Sequence, residues 1–95
     1  MKRNEFIFTI GYQGDAAIVD GPAMKKYGGK NAEELLDLGL FRPAYCAALY
    51  DDRLDGFREL FSQRTGMQIE SDEALARLFG VYGVPDDVTR VTRIG

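Results

Sequence analysis

The chain has 95 residues, with 12 Lys and Arg against 15 Asp and Glu, no histidine, and a formal net charge of -3. That length suits one domain over residues 1–95, and 45% hydrophobic with 28% charged residues is a composition that folds. The acidic balance argues against general affinity for a polyanion, and the lack of histidine excludes Ser-His and Cys-His catalysis and any imidazole metal site.

Met1-Lys2-Arg3 is followed by a short apolar run, Phe6 to Ile10, interrupted by Thr9 and ended by Gly11. The run is shorter than the apolar segment of a signal peptide and far shorter than a membrane span, so neither is expected. Residues 5–12, EFIFTIGY, place Phe6, Phe8, Ile10 and Tyr12 in alternation, which predicts a strand. Residues 15–19, DAAIV, read as a second strand. The pair predicts an N-terminal β-hairpin; because Gln13 suits a primed two-residue turn poorly, a longer loop centred on GYQG is expected.

Gly21-Pro22 ends the second strand and opens a short helix, PAMKKY, closed by Gly28. Asn31 with Glu34 three residues on makes an Asx form of the capping box, so the next helix runs from there to about Leu38. Gly39 suits the left-handed position after it, with Leu40 packing back. Pro43 fits the first turn of a further helix with Tyr45, Cys46, Leu49 and Tyr50 on its apolar side. Asp52 is placed to cap RLDGFRELFSQRT, which turns Leu54, Phe57, Leu60 and Phe61 inward and ends at Gly66. Cys46, Tyr50, Leu54, Phe57 and Phe61 also keep helical spacing, so residues 43–65 read equally as one helix or two. Ser71 caps a last helix bearing Leu75, Leu78, Phe79 and Tyr82, stopped by Gly83 and Pro85. VTRVTRI, residues 88–94, has strand-like residues that would pair within the chain or with a second copy. The expected fold is α+β: an N-terminal β-hairpin, three to four α-helices packed on a small antiparallel sheet, and a C-terminal strand.

Four stretches carry functional readings. Residues 33–50 have the layout of a helix-turn-helix, with Gly39 in the turn. The second helix, PAYCAALYDD, carries no Lys, Arg, Asn or Gln for reading bases, and Asp51 and Asp52 would repel phosphate. DDRLD, Asp51 to Asp55, resembles the aspartate-rich motif of prenyl diphosphate synthases and terpene cyclases. That resemblance implies a magnesium site of Asp51, Asp52 and Asp55. It spans five residues in a chain too short for those enzymes' helical cavity, and helix capping by Asp52 with dipole stabilisation by Asp55 accounts for the same residues. GYQG matches the GxxG of the KH family, but it follows a strand where the KH loop joins two helices. Lys25, Lys26 and Lys30, gathered around Gly28-Gly29, form a candidate contact for an anion or an acidic partner.

Cys46 lies among Ala, Tyr and Leu and reads as a small buried hydrophobe. A single cysteine makes no internal disulfide, so a reducing cytoplasm is the expected setting. No residue is assigned a catalytic role and no cofactor is expected. The reading that results is a non-enzymatic protein-interaction or regulatory module acting as a homodimer, able to take a further protein partner, with nucleic acid and membrane not expected as partners. Its rivals are a helix-turn-helix-like DNA-binding regulator using residues 33–50 and a small acidic metal or ligand binder around Asp51–Asp55.

Overall fold

The computed structural model describes residues 1–95 and is α+β: six helices packed on a three-stranded mixed sheet. In chain order the elements are α1 (Arg3–Ile7), β1 (Thr9–Gln13), β2 (Ala16–Asp20), α2 (Gly21–Tyr27), α3 (Ala32–Asp37), α4 (Phe41–Tyr50), α5 (Leu54–Thr65), α6 (Asp72–Phe79) and β3 (Arg90–Ile94).

The first expected strand divides into two elements. Residues 3–7 form one helical turn, in which the Glu5 carboxylate accepts from the Lys2 N–H at 2.9 Å, and β1 begins only at Thr9. Alternation misled here because Phe6, Ile7, Phe8 and Thr9 are all buried in succession, so no solvent face exists to reveal a period. A bulge between Thr9 and Gly11 then swings Ile10 outward. Thr9 pairs with Val19 and Tyr12 with Ala17, so Thr9 and Tyr12 share the inner face although three residues apart. Gln13 pairs with Ala16, which leaves a two-residue loop, Gly14-Asp15, rather than one centred on GYQG; Gly14 supplies the positive φ of its first position.

The sheet order is β1-β2-β3, and β3 runs parallel to β2 instead of completing an antiparallel sheet. Parallel pairing requires a long crossover, and here five helices, α2 to α6, lie between the two strands. Asp15 anchors the start of β3: its carbonyl accepts from the Thr89 and Arg90 N–H groups, and its carboxylate accepts from the Thr89 hydroxyl and the Arg90 guanidinium. VTRVTRI therefore pairs within the chain.

The helix ends follow local chemistry. Asn31 Oδ1 accepts from the Glu34 N–H at 2.8 Å while Glu34 Oε1 accepts from the Asn31 N–H at 3.1 Å, the expected reciprocal cap. Gly39 is left-handed, and Leu40 N–H returns to the Leu35 carbonyl. Residues 43–65 form two helices. Asp52 is the break, but it does not cap α5. It takes the left-handed position after α4, φ 57, so that Arg53 N–H reaches the Ala48 carbonyl at 2.8 Å. Ser71 Oγ caps α6 as expected, but α6 stops at Gly80, which is left-handed, rather than at Gly83 and Pro85. Tyr82 therefore lies beyond the helix, and both it and Leu78 are exposed instead of inward.

One cluster of 15 buried residues forms the core, with α4 at its centre: Ala44 to Ala48 are all buried. Tyr45 stacks on Phe79 at 4.9 Å between ring centroids, and Phe61 meets Phe41, Phe57 and Phe79 within 6 Å, locking α4, α5 and α6 together.

Candidate functional site

β1 is one edge of the sheet, and its five residues, TIGYQ, carry no charge. The bulge that turns Ile10 out leaves it 57% exposed, and Tyr12 is 43% exposed. Beside this edge stands the beginning of α4. The Arg42 guanidinium donates to the Thr9 carbonyl, and Ile10, Leu40, Arg42 and Pro43 border a small hollow of about 180 Å³. Phe41, the first residue of α4, is also exposed. Burial and then nearby Cys46 hold the Tyr12 phenol above its ordinary pKa, while Arg42 works in the opposite direction. The result is an uncharged strand edge bearing an exposed aliphatic and a partly exposed aromatic side chain. The other sheet edge differs: β3 carries Arg90 and Arg93. Charged side chains on an edge strand discourage pairing, and uncharged apolar ones permit it. Sequence reading missed this surface because it assigned Ile10 to the same face as Phe6 and Phe8. The signal that could have located it is Gly11, a glycine inside a strand pattern, which marks bulges.

The residues singled out by sequence lie elsewhere. Asp51 is gripped by Arg3, whose Nη2 lies 2.9 Å from Asp51 Oδ2; that pairing lowers the carboxyl's pKa. Asp52 forms the left-handed turn, and Asp55 pairs with Arg58 on α5 at 3.4 Å. The three carboxylates thus have three separate structural tasks, and no three His, Cys, Asp or Glu side chains converge as a metal set. Asp51 does border a hollow of about 600 Å³ between α3 and α5, together with Glu33, Arg53, Phe57 and Leu60. Lys25 and Lys26 are exposed in the last turn of α2, where positive charge complements the helix dipole. Lys26 Nζ lies 5.3 Å from the centre of the Tyr27 ring, and the Lys30 carbonyl accepts from Arg3 Nη2 at 3.0 Å.

Residues 33–50 do form two helices, α3 and α4, joined through the left-handed Gly39. Its second helix, however, is buried over Ala44 to Ala48 and presents no face along its middle that a DNA groove could receive. Cys46 is buried, and loss of solvation pushes its thiol pKa up to about 11, despite the opposing effect of Arg42. No helix is long and apolar enough to cross a membrane. No protein-family model, no curated protein and no solved structure matches the chain.

Proposed function

We propose that this protein is a non-enzymatic interaction module that works as a cytoplasmic homodimer, with β1 as the edge that meets a second copy. The observation that carries the reading is the uncharged β1 edge, with Ile10 swung out to solvent by the bulge and Tyr12 partly exposed. Two-fold pairing of β1 with itself sets no like charges against each other, whereas β3 would bring Arg90 and Arg93 toward their copies. A two-fold contact also covers the apolar side chains of both subunits equally. The buried α4 and the separate tasks of Asp51, Asp52 and Asp55 favour this reading over DNA recognition or metal binding. The cytoplasmic setting rests on the single thiol, buried and without a partner cysteine.

Light scattering after size exclusion at low micromolar concentration tests the proposal. The expected mass is twice the 10.6 kDa of the chain. Ile10→Lys, at an exposed position, is expected to give the single-chain mass with the fold retained by circular dichroism. A wild-type mass of 10.6 kDa that does not change on concentration would end the homodimer reading.

A further inference from the structure

The lysines and arginines are unevenly distributed in a way that the net charge conceals. Residues 21–32 hold three lysines and no acid, residues 88–95 hold two arginines and no acid, and Glu5 is the only acid among the first 14 residues. The fold brings these three segments together. A shallow cleft of about 480 Å³ is walled by Lys2, Arg3, Asn4 and Glu5 from α1 and the residue before it, by Gly29 from the loop after α2, and by Arg93 from β3. Lys2 and Arg93 take part in no ion pair, whereas Arg3, Arg58, Arg64 and Arg90 all do.

The donors in this cleft are organised from behind. Arg3 is held through Nε and Nη2 by Asp51 and the Lys30 carbonyl, which leaves Nη1 uncommitted. Asn4 Oδ1 accepts from the Gly29 N–H at 3.2 Å, so the amide group's other end, Nδ2, remains a donor. The one acid, Glu5, has an oxygen occupied by the Lys2 N–H at 2.9 Å. Lys25, Lys26 and Lys30 flank the same loop and add positive potential. Away from this face the surface is acidic, which opposes a long polyanion but not a compact one.

We infer that the cleft between α1, the α2–α3 loop and β3 is a binding site for the phosphate or diphosphate group of a small molecule, with Lys2 and Arg93 as the principal charge contacts. Arg3 contributes a donor more than net charge, because Asp51 balances it. The volume matches a small ligand, and the site shares no lining residue with the β1 edge. It therefore stands or falls separately from the dimer.

The test is a titration of the uniformly 15N-labelled chain with pyrophosphate at constant ionic strength, followed by amide chemical shifts. Saturable changes at Asn4, Gly29 and Arg93 are expected. The dissociation constant should weaken about tenfold in Arg93→Gln and again in Lys2→Gln, as loss of a charge-assisted contact implies. Arg77→Gln, on α6 and outside the cleft, should leave it unchanged. Both substituted cleft positions are at the surface, so the fold persists and a spectrum of dispersed amides verifies it. The inference is overturned by a lack of saturation up to about 1 mM, by shifts spread evenly over all cationic residues, or by a short DNA duplex binding the same residues more tightly than pyrophosphate.

Discussion

The guanidinium of Arg3 closes on the carboxylate of Asp51 through both Nε and Nη2, joining α1 to the C-terminal end of α4 across 48 positions of sequence. The pair is partly screened by solvent, and Arg3 also reaches the Lys30 carbonyl, so three segments meet at one side chain. Arg3→Met is expected to cost about 1 kcal/mol, the upper range for a partly exposed pair with two-point geometry. It should also return the Asp51 pKa toward the ordinary carboxylate value of about 3.9. Because the folded pKa is lowered, the pair's contribution is present above the unfolded value and is lost as pH falls through the folded one. Denaturant melts of the wild type and Arg3→Met should therefore differ at neutral pH and converge in strong acid.

Asp52 occupies the left-handed region, φ 57, where glycine is at ease and a side chain is strained. If its role is to turn the chain between α4 and α5, Asp52→Gly should preserve or raise stability, by up to about 1 kcal/mol. Asp52→Val should destabilise, because a β-branched side chain resists that conformation. A loss of stability in Asp52→Gly, read from the urea midpoint, would show that the carboxylate matters more than the turn.

The Tyr45 hydroxyl donates to the Val81 carbonyl at 2.6 Å in the buried core, closing the chain after α6 onto α4. Tyr45→Phe keeps the ring stack on Phe79 but leaves that carbonyl without its partner. The expected cost is about 1–3 kcal/mol. Hydrogen exchange should show the loosening first at residues 80–82, ahead of α4.

Cys46 predicts a distinct alkaline behaviour. Its thiol holds its proton to about pH 11 in the folded chain, while an unfolded cysteine ionises near pH 8.5, as burial disfavours the thiolate. A raised folded pKa gives stability that is complete below the unfolded value and is lost as pH rises toward the folded one. Between those limits roughly 2–3 kcal/mol should disappear. Cys46→Ala should flatten that part of the profile. In the native state at neutral pH, labelling by a thiol reagent should be slow, and it should become fast in denaturant.

Local chemistry was legible at several helix ends where one short segment supplies both halves of an interaction, though not at Asp52, Gly80 or the hairpin loop. Asn31 and Glu34 cap each other within one turn, Ser71 caps α6, and Gly39 and Gly66 end α3 and α5 with the left-handed conformation that glycine tolerates. The hairpin and the α+β class follow from the same kind of signal. The acidic balance and the missing histidine likewise limit the chemistry before any fold is known. Other features depended on residues distant in sequence. Phe6 to Thr9 form a helical turn and a strand start because α4 and the sheet bury them on every side, which erases the period a sequence pattern needs. The direction of β3 was settled by the crossover through five helices and by Asp15, which takes the Thr89 and Arg90 N–H groups from 74 and 75 residues away. Asp51 faces Arg3 rather than Asp52 and Asp55, and Lys2 and Arg93 line one cleft, only because α1 packs on α4 and β3 returns beside β2. Caps and turns are decided within a few residues; the β1 edge and the basic cleft are decided by burial and long-range pairing, which no short stretch contains.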